Sequence, residues 1–405
     1  MPLAPITGFF GTNSSGKSSL LQALLLMKQT VESTDQQQVL EFGNDKNLLD
    51  LGGFQDIIFQ HETALSLSLG LTYDPSQFID ISKLQFLGVV SLVNEKLRLQ
   101  SFSYDYGDAS IGKPLLDNIN KLDPSSIILN SRSDKFYRFS GIERQNDTNQ
   151  GFIHALELSF EQILLQTIYL GPLRDFPKRL YGWTGAAPSN VGKQGENTIA
   201  ALLAARVGGN KVGNIPLENY IAEKLKDLGL ISSFRLEELR EGTNIFRVLV
   251  RRTPESPEVS LTDVGFGVSQ VLPVLVLCYY VPEGSTILLE QPELHLHPSV
   301  QSGLADIFID AYQKRGVQII LESHSEHLLR RLQRRIAEEV ILPSDVNLYF
   351  CSLEKGESKL EALELDEYGN IHNYPKDFFG DRFEEMAAMT EKAIERRAKK
   401  ALELT

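Results

Sequence analysis

The sequence is poor in sulfur and in indole: two cysteines, four methionines and one tryptophan occur in 405 residues. Cys278 and Cys351 cannot build a disulfide framework, and Cys278, set inside an apolar run, reads as a core thiol. Long hydrophobic runs are missing too. The longest, Val271–Val281, contains Pro273 and is too short to cross a bilayer. Met1-Pro2-Leu3-Ala4-Pro5 places no basic segment ahead of an apolar one, so no secretory signal is expected. Positive charge is in deficit: 40 Lys and Arg against 53 Asp and Glu leave a formal charge of −13. That balance argues against non-specific nucleic-acid binding by the whole surface, while leaving room for a local basic patch. No internal repeat or low-complexity tract is visible. The expectation is a soluble, cytoplasmic protein without a membrane segment.

The composition is otherwise that of a folded chain. Hydrophobic residues make up 42% and charged residues 23%, which excludes global disorder. The length suits two or three domain-sized units, or one large domain with insertions. Ile6–Phe10 reads as a short buried strand turning into a Gly/Ser-rich loop, and Leu20, Leu21, Leu24, Leu25 and Met27 continue it as a helix. Between about 63 and 160 the pattern is mostly short β, punctuated by turn formers. Helices are expected at 198–207 and 217–228, and strands at 246–250 and 259–261. Beyond 265 strands and helices alternate, which indicates a parallel sheet. The helices are expected at 269–280, 300–312 and 326–339, and the strands at 286–289, 318–321, 346–351 and 360–365. A charged helix is expected from Arg382 onward.

The loop Gly11-Thr12-Asn13-Ser14-Ser15-Gly16-Lys17-Ser18 has the spacing of a phosphate loop, in the strand-before, helix-after setting that such a loop requires. Its glycines let successive main-chain N–H groups approach a triphosphate. Lys17 supplies a point charge for the β- and γ-phosphates, Ser18 a hydroxyl for Mg²⁺, and the following helix its N-terminus. Gly11, Asn13, Ser14, Ser15, Gly16, Lys17, Ser18 and Ser19 are therefore the candidate ATP-binding residues. An acidic partner for Mg²⁺ should end a buried strand, and Thr286-Ile287-Leu288-Leu289-Glu290 fits.

With Glu290-Gln291-Pro292-Glu293-Leu294-His295-Leu296-His297-Pro298, Leu321-Glu322-Ser323-His324-Ser325 and Asp263-Val264-Gly265-Phe266-Gly267-Val268-Ser269-Gln270, the sequence resembles the ABC-type P-loop ATPases, the group of RecF, the SMC proteins and the OLD-family nucleases. The acidic-strand and switch segments also resemble a bacterial subfamily often described only as AAA ATPases. Several relatives of this broad type act in phage defence or DNA repair. The order phosphate loop, signature, acidic strand, switch histidine is the group's order. The resemblance implies an α/β fold: a P-loop NTPase head of ABC type with a mixed sheet, a β-rich insertion and a C-terminal helical tail. The divisions expected are 1–62 and 217–365 for the two parts of the head, 63–216 for the insertion and 366–405 for the tail. It implies ATP and Mg²⁺ as cofactors, with Glu290 at the metal-associated position and His324 sensing the γ-phosphate. Gly265, Gly267, Ser269 and Gln270 would contact the triphosphate of a second protomer, so that ATP joins a homodimer. Gln55 is a candidate for the glutamine reaching Mg²⁺ and the attacking water, with Gln60 close by and a plain surface glutamine as the other reading. His297 falls where the group's inter-subunit aspartate lies.

One departure bears on the chemistry. Gln291 stands where a catalytic glutamate is expected, and an amide cannot accept a proton as a carboxylate does. Phosphoryl transfer depends mainly on positioning and charge neutralisation, so slow hydrolysis is still expected, with Lys17, Glu290, Gln291 and His324 as the catalytic set. Glu293 acting through a water is a further option. A nucleotide-binding module that does not turn over is the competing reading, whereas a small-molecule kinase would leave the signature and switch segments unexplained. Arg174, after Tyr169-Leu170-Gly171-Pro172-Leu173, either lines a cleft or serves a turn. His295, His297 and His324 do not have zinc-site spacing. Arg330, Arg331, Arg334 and Arg335 form a basic helical stripe, and Arg396, Arg397, Lys399 and Lys400 form a second cluster. Each is either a DNA or acidic-partner contact or a solvated face paired with carboxylates. No fused nuclease is visible, so any effector is expected on a separate chain.

Overall fold

The computed structural model describes residues 1–44, 47–106, 135–138, 147–375, 378, 389–394 and 396. Contacts divide the chain into two compact units, Met1–Lys17 with Leu170–Thr405, and Ser18–Tyr169. The division runs through the phosphate-loop motif, between Lys17 and Ser18, whereas the sequence reading drew its limits at 62, 216 and 365.

The first unit is built on a largely parallel sheet. The phosphate-loop strand, Ile6–Gly11, lies between the strands Gln318–Glu322 and Val346–Glu354 and runs parallel to both. The acidic strand, Thr286–Glu290, adds to the outer side of Gln318–Glu322, again parallel. Glu357–Ala362 closes the opposite side as an antiparallel hairpin on Val346–Glu354. Parallel strands need crossover connections: helix Pro298–Arg315 joins the neighbours Thr286–Glu290 and Gln318–Glu322, and helix Glu326–Ala337 leads from Gln318–Glu322 across the phosphate-loop strand to Val346–Glu354. The phosphate-loop strand is buried along its whole length, as strands covered on both faces must be.

The helices carry their signals in the sequence. Pro298 sits in the first turn of its helix, behind His297 as N-cap, and the helix stops at Gly316 with φ 63°. Ser325 caps Glu326–Ala337 by accepting the N–H of Leu328, at 3.1 Å. That helix then buries one apolar stripe, Leu328, Leu329, Leu332 and Ile336, each side chain worth about 1.5–3 kcal/mol on transfer from water. The signature helix, Phe266–Tyr280, is buried almost all round and contains most of the long apolar run. Among the described residues no helix is long and apolar enough to cross a membrane. A small antiparallel sheet centred on Ile245–Arg251 pairs with Ser233–Glu238, Val259–Ser260 and Tyr181–Gly182.

The second unit holds the helix running on from Lys17 to Glu32 and an antiparallel meander of Ser66–Tyr73, Leu84–Val93 and Lys96–Asp105. Asn94 and Glu95, both at positive φ, make the two-residue turn of its second hairpin. Its core is aromatic: Phe86 and Phe160 lie 4.5 Å apart between ring centroids, with Phe136, Tyr137 and Tyr104 around them. Buried Lys135 donates to the carbonyls of Val31 and Ser33, where the first helix ends and a cation is favoured. One expectation is corrected here. The pattern between about 63 and 160 reads as mostly short β, and its last part is instead the helix Asp147–Leu165. Leu156, Leu158 and Phe160 alternate as in a strand, but Leu156, Phe160 and Leu164 form the buried helical face and Leu158 points to solvent. In the C-terminal tail, residues 389–394 are helical, while Arg397, Lys399 and Lys400 lie outside the described residues.

Candidate functional site

The carboxyl ends of parallel strands are where open α/β sheets bind ligands. Here the ends of Ile6–Gly11, Thr286–Glu290, Gln318–Glu322 and Val346–Glu354 bring together the phosphate loop, the acidic strand and the switch segment. Gly11 leaves its strand at φ 136°, and a β-carbon on it would collide with the Cys351 carbonyl, so only glycine serves there. Gly16, at φ 89°, passes the Ser358 side chain with no room for a methyl group. Ser15 Oγ donates to the Thr12 carbonyl at 2.8 Å and tightens the loop.

Lys17 is 4% exposed. Its Nζ donates to the Thr12 carbonyl at 2.6 Å and the Gly11 carbonyl at 3.3 Å, so the cation is held by the loop itself. Burial lowers its pKa, and the charge of Glu322, first among the groups opposing that shift, resists it. Burial also lifts the Cys351 thiol, to about 11. His324 stands at the end of the switch strand, where partial desolvation and the Lys17 charge lower its pKa and keep the imidazole neutral at pH 7.

The acidic residues divide their work. Glu290 ends its strand in register with Glu322. The guanidinium of Arg174, itself buried, donates to the Gly171 carbonyl and, over 3.4–3.5 Å, to the Glu290 carbonyl. Arg174 thereby ties its own turn to the end of the acidic strand. Gln291 sits at φ 44°, its N–H donating to the Glu322 carbonyl at 2.9 Å. Glu293 is 7% exposed and accepts the N–H of His324 on Oε1 at 2.7 Å. Burial raises its pKa against that hydrogen bond.

Glu322 and Cys351 are the members of this cluster to which sequence reasoning gave no role. A signal for Glu322 existed: Ile287-Leu288-Leu289-Glu290 and Ile319-Ile320-Leu321-Glu322 are matching three-residue aliphatic runs, each ending in glutamate.

Other expected residues lie elsewhere in the fold. Ser269 is buried and donates to the Phe266 carbonyl at 2.7 Å, and Gln270 is buried beside it, while Gly265 and Phe266 are exposed and Gly267 is half-buried. His297 serves its helix cap, and His295 packs edge-on against Phe266. Ser18, Ser19 and Gln55 belong to the second unit, where Gln55 is exposed on the short helix Phe54–Ile57 and its carbonyl accepts from His61. In the basic stripe Arg330 pairs with Glu326 and Arg334 with Glu338. Arg331 and Arg335 share Asp306. Each guanidinium already has a carboxylate.

Among the described residues no group of three or more His, Cys, Asp and Glu is arranged to hold a metal ion. Glu290 offers a half-buried carboxylate at the strand end, which suits a hard cation held by one or two protein oxygens plus phosphate, the habit of Mg²⁺.

Residues 221–330 match an AAA-domain family. Its description reads "AAA domain, putative AbiEii toxin, Type IV TA system". Residues 341–389 match a second family, described as "Protein of unknown function (DUF3696)". No curated protein matches. Among solved structures, an SMC head bound to the C-terminal winged-helix domain of ScpA is 10% identical, with 90% of this chain and 93% of that chain covered and a TM-score of 0.47. The SMC head domain from Thermotoga maritima is 10% identical over 90% and 93%, with a TM-score of 0.41. An Smc head with an extended coiled coil, bound to the C-terminal domain of ScpA and derived from Pyrococcus furiosus, is 11% identical over 90% and 92%, at 0.43. The fold is of the P-loop NTPase type on its own geometry: strand, phosphate loop and helix, with the acidic and switch strands beside them in a parallel sheet.

Proposed function

We propose that this chain is an ABC-type ATPase that binds Mg-ATP at the phosphate loop, hydrolyses it slowly and uses the nucleotide to join two copies. The observation that carries this reading is the convergence of Lys17, Glu290, Gln291, Glu322 and His324 on neighbouring strand ends. Lys17 leaves the carbonyls of Gly11 and Thr12 for the β- and γ-phosphate oxygens. The loop N–H groups of Asn13, Ser14, Ser15 and Gly16 cradle the phosphates. Glu290 supplies a carboxylate oxygen for the cation and, by the motif, Ser18 supplies a hydroxyl, with Gln55 as a further candidate. Mg²⁺, when bound, offsets charge on the β- and γ-phosphates. His324, neutral and hydrogen-bond competent, senses the γ-phosphate. Gly267, Ser269 and Gln270 complete the site of a second copy, which requires Ser269 to turn away from the Phe266 carbonyl.

Phosphate release by the full chain with Mg-ATP, compared with Lys17→Ala, tests the reading. Turnover well above the variant is expected. A second reading, a regulatory module that binds ATP without turnover, is favoured by Gln291. ATP binding by the wild type with no release above Lys17→Ala would establish it. Light scattering after size exclusion, with and without Mg-ATP, tests the dimer, which Ser269→Arg should abolish. The switch acts on a separate effector in the cytoplasm, in phage defence or DNA repair. The paired arginines of 326–337 count against that stripe as a DNA contact.

A further inference from the structure

Gln291 removes a carboxylate from the position where a catalytic base is expected, and the neighbouring strand brings one back. The acidic and switch strands end in register, Glu290 beside Glu322. The positive φ of Gln291 turns it toward that neighbour: its N–H donates to the Glu322 carbonyl at 2.9 Å, and its Nε2 lies 3.5 Å from Glu322 Oε1. Glu322 is 3% exposed, so its carboxylate is shielded from bulk solvent. Its charge acts on both Lys17 and His324, the two groups assigned to the terminal phosphates. Glu293, the remaining carboxylate, accepts the His324 N–H on Oε1 and is fixed to the switch segment by it.

We propose that Glu322 is the catalytic carboxylate that takes the proton of the attacking water, with Gln291 as its positioning residue. The proposal rests on the ATPase reading. Water oxygen bonds to the γ-phosphorus, and the bond from that phosphorus to the β–γ bridging oxygen breaks, its electron pair leaving on ADP. The water proton passes to a carboxylate oxygen of Glu322 and from there to solvent. Gln291 holds Glu322 through its side-chain amide and keeps the two strand ends together through its main-chain N–H. The missing carboxylate is thereby supplied from one strand over.

The test is a swap in the full chain: Glu322→Gln, Gln291→Glu and the double variant. Three quantities are read: phosphate release, affinity for a fluorescent ATP analogue with Mg²⁺, and the identity of the bound nucleotide after acid quench. Glu322→Gln should lower turnover about a hundredfold, the low end for a general base, while affinity stays within about threefold and the bound nucleotide remains ATP. The double variant should recover turnover to within about tenfold of wild type, because a carboxylate again stands at the site. A residue at 322 with only a packing role would not be rescued this way. Wild-type turnover in Glu322→Gln overturns the proposal. So does loss of affinity along with turnover, or a double variant as inactive as the single one. A wild type that binds ATP without releasing phosphate above Lys17→Ala removes the ATPase reading, and the proposal with it.

Discussion

Two clusters of charge sit in the same unit and are handled in opposite ways. Asp310 lies where helices Leu217–Asp227, Phe266–Tyr280 and Pro298–Arg315 meet. It accepts from Tyr220 Oη at 2.6 Å and Tyr279 Oη at 2.7 Å, and pairs with Lys314 at 2.9 Å and Lys224 at 3.3 Å. Burial pushes its pKa up, but the hydrogen bonds from Tyr220, Lys314 and Tyr279 outweigh it and hold the carboxyl below its usual range. At the strand ends the outcome reverses. Burial wins over the neighbouring charges at Lys17, whose pKa falls, and over the hydrogen bonds at Glu293, whose pKa rises. One cluster is complete and favours its charged form. The other holds charges at a cost, and such sites are where function is found. On the function proposed above, a bound triphosphate would stabilise the Lys17 cation.

Mutations should separate the two. Asp310→Ala should destabilise the fold by about 3 kcal/mol, because it strands two lysines and two tyrosine hydroxyls, while ATP affinity per folded molecule is unchanged. Urea unfolding and nucleotide titration check the two halves of that statement. Lys17→Ala should do the reverse. It should cost ATP roughly ten- to a hundredfold in affinity, as loss of a charge-assisted contact does, and leave unfolding free energy equal or higher. If Lys17→Ala unfolded more easily than wild type, the two clusters would not differ in kind.

The pH dependence sharpens the comparison because the signs differ. Asp310 has a folded pKa below its ordinary 3.8. Its contribution to stability is present above 3.8 and is lost as pH falls through the lower, folded value. Glu293 has a folded pKa above its ordinary 4.5, so it is a growing burden as pH rises from 4.5 through that higher value. Stability curves should therefore show Asp310→Asn losing its deficit toward acid. Glu293→Gln should gain on wild type as pH rises above 4.5. The smallest effect belongs to the arginine stripe: Arg334→Ala, at an exposed pair with Glu338, should change stability by less than about 0.5 kcal/mol.

The features best read from sequence are those whose chemistry is local. Gly11 to Ser18 is a contiguous loop, and Thr286–Glu290 and Gln318–Glu322 are contiguous apolar runs. What was not legible depends on register or on distant partners. Glu322 stands in the sequence beside His324, but only strand pairing sets it against Glu290 and Gln291. Asp306 is far from Arg331 and Arg335 along the chain, so a stripe that reads as a basic patch is in fact paired. The helix Asp147–Leu165 was hidden by an alternation that fits two periods at once. Ser269 and Gln270 read as surface contacts and are buried.

The Lys17 cation is buried at a cost, and on the proposed function a bound nucleotide offsets it. Thermal unfolding of wild type and Lys17→Ala, each with and without Mg-ATP, tests it most directly. ATP should raise the melting temperature of the wild type, as any ligand specific for the folded state does. Lys17→Ala alone should melt no lower than wild type alone and should gain little from ATP. A variant that melts lower without nucleotide, yet is stabilised by ATP as much as wild type, would contradict the account.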